Sequence, residues 1–167
     1  GIMTLEEYSN IIDMAFKIEG WNYSKIKKDN LMIFSIRFTE NGKIHTDCKV
    51  FVYNDGICDM DVGLPFICPE NRRVELSNIL TNYNYSKRYA TIRLDLSNGK
   101  IVNSYSFNML PFMPPEYVLN IFNGVREIEK DIYKSIQDIC ELSIEEEIQP
   151  EIISVSSDKR NKFKIEL

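Results

Sequence analysis

The chain has 167 residues, 44% hydrophobic and 27% charged, with a mean hydropathy of −0.25, a composition that suits one globular domain rather than a disordered or membrane-spanning chain. A net charge of −5 and a pI near 5.0 argue against nucleic acid, whose phosphates need concentrated Lys and Arg, and favour a protein or peptide partner. No apolar run approaches the roughly 20 residues that span a bilayer, and no basic, apolar leader opens the chain, so a cytoplasmic protein without membrane contact is expected.

Gly1 and Ile2 ahead of Met3 read as a non-native start. From Thr4 to about Glu19 the residues Leu5, Tyr8, Ile12, Ala15 and Phe16 form one apolar helical stripe. Thr4 and Glu7 have the spacing of a capping box, and Gly20 closes the helix. Trp21 to Lys28 reads as a short edge strand ending at the Asp29-Asn30 turn, with lysines that suit an unpaired edge.

Leu31 to Leu64 reads as three antiparallel strands joined at Glu40-Asn41-Gly42 and Asn54-Asp55-Gly56, each turn ending in a glycine. Side-chain parity favours three-residue loops. Phe38 is then placed opposite Ile44, Phe34 opposite Cys48 and Met32 opposite Val50, while Val52, Val50 and Cys48 face Cys58, Met60 and Val62. A two-residue loop would set Phe34 against Lys49 and Val50 against Asp61. On the other face the chosen register places His45 opposite Arg37, Lys49 opposite Asp61, and Leu31 and Asp59 beside Phe51.

Beyond Pro69 a second helix, from about Glu70 to Tyr83, is expected to bury Val74, Leu76, Ile79, Leu80 and Tyr83 and to turn Arg72, Arg73 and Glu75 toward water. Tyr89 to Leu96 and Lys100 to Asn108 form a hairpin across Ser97-Asn98-Gly99. Parity leaves its loop open at two or three residues, with Ile92 facing Tyr105 or Ser104. Pro111, Pro114 and Pro115 precede a long third helix, from about Pro115 to Cys140, whose stripe is Val118, Ile121, Phe122, Val125, Ile128, Ile132, Ile136 and Ile139. Gly124 inside it marks a close helix contact or is simply tolerated, at about 1 kcal/mol relative to Ala. Residues 1–140 therefore read as a single domain and 141–167 as a C-terminal tail that can add a strand around Ile152 to Val155.

Little in this pattern points to catalysis. His45, the only histidine, would have a cation opposite it and no second group in sequence reach, which makes it a poor general base and an ordinary turn-proximal surface residue. Asp47, Asp59 and Asp61, with Glu40 and Asp55, suggest a cation site, but a mixed, solvated sheet face accounts for them with fewer assumptions. Cys48, Cys58, Cys68 and Cys140 have no metal-ligand spacing, and neither Cys58 nor Cys68 has an obvious cation beside it to lower its pKa. They read as free thiols in a reducing compartment. No catalytic, cofactor-binding or metal-binding residue is expected, and no cofactor.

What remains is surface. Leu31, Ile33, Phe51, Tyr53 and Ile57 fall on the face away from the core, more apolar area than a water-facing sheet normally carries. A helix of the same chain, the tail or a partner should cover them, so these five residues are the candidate partner-binding set.

The order helix, meander, helix, hairpin, long helix, together with Gly20-Trp21, the Pro69-Glu70-Asn71-Arg72-Arg73 helix start and the Leu76 to Asn84 segment LSNILTNYN, resembles the YbjN-type family of bacterial sensory transduction regulators. The resemblance covers roughly Leu5 to Ile139. That family is similar in fold to the small acidic chaperones of type III secretion effectors, which are dimers that bind extended polypeptide. The resemblance implies a bacterial, chaperone-like protein-binding or regulatory module, a possible homodimer, and supplies no catalytic motif. The fold expected is α+β, with an antiparallel sheet of meander plus hairpin and three helices in the order α-β-β-β-α-β-β-α. The function expected is a non-enzymatic module that binds a polypeptide partner; the alternative is a small-molecule-binding protein or an enzyme with a cleft on the sheet face.

Overall fold

The structure, a computed structural model, describes residues 3–40 and 44–143. Helix α1 (Leu5–Glu19) begins at Thr4, whose hydroxyl accepts from the Glu7 amide at 3.2 Å while the Glu7 carboxylate accepts from the Thr4 amide at 3.0 Å. It ends at Gly20 in the left-handed conformation. Both ends are therefore specified by local chemistry, as the sequence pattern indicates. Leu5, Tyr8, Ile12, Ala15 and Phe16 are all buried.

Next come β1 (Ser24–Lys28), β2 (Leu31–Glu40), β3 (Ile44–Tyr53) and β4 (Ile57–Ile67), then a 3-10 turn (Glu70–Arg72), α2 (Arg73–Tyr85), β5 (Thr91–Leu94), β6 (Lys100–Asn108), α3 (Pro115–Arg126), α4 (Lys130–Ile139) and a short β7 (Glu141–Leu142). The strands make one antiparallel sheet in the order β1-β2-β3-β4-β6-β5, with β7 pairing on β4. The class is α+β and the sheet antiparallel, but the described residues contain four α-helices rather than three.

The long third helix is broken. Glu127 and Glu129 are extended, with ψ of 117° and 140°, and separate α3 from α4. A continuous helix from Pro115 to Cys140 would be a rod of roughly 39 Å. Its two halves serve different clusters: Val118, Leu119, Phe122 and Val125 pack with α1 and the centre of the sheet, while Ile132, Tyr133, Ile136 and Ile139 pack with α2 and the end of β4. The apolar spacing runs on through the break, with Ile128 buried within it, so periodicity alone could not reveal it. Gly124 marks a close contact with the connection between α2 and β5 rather than with a helix, because a Cβ there would lie 3.2 Å from the Tyr89 ring.

Two registers differ from expectation. β2 and β3 pair Glu40 with Ile44, Phe38 with Thr46, Ile36 with Cys48 and Phe34 with Val50, two residues away from the pairing read off the sequence. Parity is unchanged by a slip of two, so the buried face is the same and the apolar pattern could not choose between them. The second turn is as expected, with Val52 opposite Cys58, Val50 opposite Met60 and Cys48 opposite Val62. In the later hairpin Ile92 faces neither Tyr105 nor Ser104 but Asn103, because Asp95 pairs with Lys100 around a longer connection. In α2 only Leu76 and Leu80 are buried; Val74 is 73% exposed, and Arg73 is not turned to water but donates to the carbonyls of Cys68 and Leu96.

All four helices lie on one side of the sheet. That side carries Met32, Phe34, Ile36 and Phe38 of β2, Cys48, Val50 and Val52 of β3, and Cys58, Met60, Val62 and Leu64 of β4, all buried. Its centre is aromatic. Phe16 and Phe122 lie 5.4 Å apart and Trp21 and Phe38 5.2 Å apart, with the Arg126 guanidinium 3.8 Å over the Phe38 ring.

Candidate functional site

Because strand residues alternate between faces, the positions between the buried ones form a second surface that no described helix covers. Cross-strand pairing arranges it in rows. Ile26, Ile33, Phe51, Asp59 and Ser106 form one row. Lys28, Leu31 and Tyr53 form the next, with Ile57 beside it on β4. The five residues predicted as a partner surface are thus brought together. Leu31, Ile33, Phe51 and Tyr53 are half-buried and Ile57 is exposed. Ile26, 60% exposed, joins them opposite Ile33. Its place could have been found by extending parity back across the Asp29-Asn30 turn.

Farther along the strands the face turns polar. Ser24, Ser35, Lys49, Asp61 and Ser104 form a row, followed by Arg37, Asp47, Gly63 and Val102. Arg37 holds Asp47 through two hydrogen bonds of 2.8 and 3.2 Å, and the Ser104 hydroxyl donates to Asp61 at 2.6 Å. His45 therefore does not face Arg37. It sits opposite Thr39, whose hydroxyl is 3.1 Å from its Nδ1. Phe51 lies beside Ile33 and Asp59 rather than Leu31, and Leu31 is opposite Tyr53. Partial burial, and then the Asp59 carboxylate with which it hydrogen-bonds, push the Tyr53 phenol above its ordinary value.

The polar half of this face forms an open groove of about 500 Å³, lined by Arg37, Lys49, Asp61, Lys100 and Ser143 among others and reached from the apolar half by Ile26. Sequence reasoning missed it, because it depends on where β3 and β4 part. Their pairing runs from Val52/Cys58 to Cys48/Val62 and stops there. At Gly63 a Cβ would lie 2.6 Å from the Asp47 carbonyl oxygen, so the two backbones approach as closely as glycine permits. Just beyond, between Gly63 and Ile67, the pairing of β4 with β6 shifts register, and β7 occupies the edge of β4 at Phe66 and Ile67.

The remaining sequence candidates are scattered. Asp55 accepts from the Ile57 amide at 3.0 Å as part of the turn, and the Glu40 side chain lies outside the described residues. Among the described residues no group of three or more His, Cys, Asp or Glu side chains is placed to hold a metal ion. All four cysteines are free. Burial pushes the Cys48 thiol up to about 12, and raises Cys58 as well, so both are protonated near neutrality. Cys68 does have cations near it, since Arg73 donates to its carbonyl at 3.1 Å, but the thiol is fully buried. Cys140, half-buried beside Cys68, is raised to about 12, chiefly by burial. A second apolar set, Leu110, Phe112 and Tyr117, is exposed between β6 and the first turn of α3.

No helix among the described residues is long and apolar enough to cross a membrane. Residues Ile152 to Val155, read from the sequence as a possible tail strand, lie outside the described residues. No family model matches this chain, and no curated protein sequence matches it.

Proposed function

We propose that the protein is a non-enzymatic, chaperone-like or regulatory module that holds an extended polypeptide on the uncovered face of its sheet, acting in the cytoplasm as a homodimer of the YbjN type. One observation carries the reading: with all four helices on the other side, Ile26, Leu31, Ile33, Phe51, Tyr53 and Ile57 form a contiguous apolar surface beside an open groove. A soluble chain rarely leaves such a surface without a use. A groove bordered by strands suits an extended segment, which supplies alternating side chains to apolar and polar subsites. The order of elements and the acidic charge support the same class.

The second reading is a small-molecule site in the polar half of the groove, whose volume falls in the usual range for such ligands. Against it, Asp47 and Asp61 already hold Arg37 and Ser104. The test is fluorescence anisotropy of the purified protein with a labelled library of extended peptides, alongside a light-scattering mass. Micromolar peptide binding that is lost in the Phe51→Ser, Tyr53→Ser double variant supports the proposal. Binding that survives in the double variant places the partner elsewhere, and no peptide binding in the wild-type chain refutes the reading.

A further inference from the structure

We propose that Cys68 and Cys140 are a redox modification site, a pair of opposed thiols that a small disulfide of the glutathione type oxidises to a cross-strand disulfide. The site is independent of what the sheet face binds. Its geometry starts from β7, which pairs antiparallel with β4 so that Phe66 lies opposite Leu142 and Ile67 opposite Glu141. One more step in the same register sets Cys68 opposite Cys140. The phase of the hydrogen bonds fixes how close the two come. The Ser143 amide donates to the Pro65 carbonyl at 3.0 Å, so Pro65 and Ser143 are a hydrogen-bonded pair. Bonded and non-bonded pairs alternate along an antiparallel ladder, which makes Cys68 and Cys140, three steps on, a non-bonded pair. The Cys68 amide agrees, since it donates at 2.9 Å to Gly99, on the β6 side and away from β7. Opposed residues at such positions have Cα atoms about 4.5 Å apart, a separation that a disulfide spans.

Side-chain direction completes the pair. Cys68 follows Leu64 and Phe66 on the helical side of β4, fully buried in the cluster formed with α2 and α4, and Cys140 packs on that same cluster. Burial chiefly, and then the Cys68 thiol at its side, push the Cys140 thiol up to about 12, while the Arg72 guanidinium acts in the opposite direction. The other two cysteines have no such partner. Cys48 faces Val62 and Cys58 faces Val52, so they stand four positions out of register on neighbouring strands, about 13 Å along the strand direction.

Accessibility orders the reaction. Cys140 is half-buried and Cys68 enclosed, so the Cys140 thiolate attacks one sulfur of the small disulfide, whose S–S bond breaks and releases one thiol once it has taken up a proton. The Cys68 sulfur then gives up its proton, attacks Cys140 in the mixed disulfide and expels the second thiol. The protein loses two electrons and two protons, and the small disulfide becomes two thiols. Because thiolate is scarce at Cys140 near neutrality, the first step is slow and quickens as pH rises. The second is intramolecular between groups already opposed. The new bond closes a ring that runs from the end of β4 through α2, β5, β6, α3 and α4, and it fixes β7, beside which Ser143 lines the groove.

The test treats the native full chain with oxidised glutathione in mildly alkaline buffer, blocks the remaining thiols with iodoacetamide under denaturing conditions, and maps a digest by mass spectrometry without reductant. A peptide linking Cys68 to Cys140 within one chain is expected, with Cys48 and Cys58 recovered as blocked thiols. The thermal midpoint should rise by roughly 5–15 °C and return when dithiothreitol is added. Cys140→Ser, a change at a half-exposed position, should abolish both the linked peptide and the shift. Glutathione that persists on Cys140 with Cys68 unlinked, a link between two chains, or a pairing that involves Cys48 or Cys58 overturns the proposal. So does recovery of all four thiols after an exposure that oxidises the urea-unfolded chain. A midpoint that falls on linkage would show that the bond forms only by distorting the fold, and overturns the proposal as well.

Discussion

Phe34 and Phe51 offer a comparison within one sheet. They sit on adjacent strands and point to opposite faces, Phe34 fully buried under α1 and Phe51 half-buried on the uncovered side. Phe34→Ala removes a ring packed 6.0 Å from those of Phe16 and Tyr23 and leaves a closed cavity, so it should cost about 3–5 kcal/mol. Phe51→Ala loses only part of the roughly 1.5–3 kcal/mol transfer value of a full side chain and leaves no enclosed void, so about 1 kcal/mol is expected. Urea titration followed by Trp21 fluorescence measures both, because the single tryptophan is buried against Phe16, Phe38 and Phe122. At about 2–4 °C per kcal/mol for a chain of this size, the two thermal midpoints should also separate clearly. If the two variants differ by less than about 1 kcal/mol, the face is a closed part of this chain's own core, and the partner surface is wrong.

Two further outcomes follow from buried polar chemistry. Asp13 accepts from the Tyr23 hydroxyl and the Lys25 ammonium, both at 2.7 Å, so Asp13→Ala should cost about 2–3 kcal/mol, mostly by orphaning the buried phenol because the Lys25 pair is partly solvated. Asp13→Asn keeps an acceptor and should cost less in the same titration; equal losses would mean that the Tyr23 bond is not what ties α1 to the chain entering β1. The Cys48 thiol has an ordinary value of 9.0 and is pushed up to about 12 by burial, so between those values the folded chain keeps a proton that the unfolded chain loses. Stability should therefore be insensitive to this group below pH 9 and fall as pH rises from about 9 toward 12, by up to about 1.4 kcal/mol per pH unit for each such thiol. Cys48→Ala should flatten that slope, and an unchanged alkaline slope would contradict the assignment.

The sequence by itself determined those features whose causes lie within a few residues. The Thr4/Glu7 box and Gly20 delimit α1 because the caps satisfy the helix's own end groups. The alternation in β2 to β4 chose which face is buried, and hence which residues, Phe51 and Tyr53 among them, are left outside. The turn at Asn54-Asp55-Gly56 set the β3/β4 register because Gly56 supplies the positive φ and Asp55 holds the Ile57 amide. Tertiary structure decided what local chemistry leaves degenerate. A slip of two residues between β2 and β3 preserves every side chain's face, so only the whole sheet could choose it, and with it the partners of His45 and Arg37. An unbroken apolar stripe from Val118 to Ile139 is compatible with one helix or two, and two separate hydrophobic clusters selected two. The groove lies where the β3/β4 pairing ends at Cys48/Val62 while all four helices pack on the opposite side, a relation among distant segments that no stretch of the chain encodes alone.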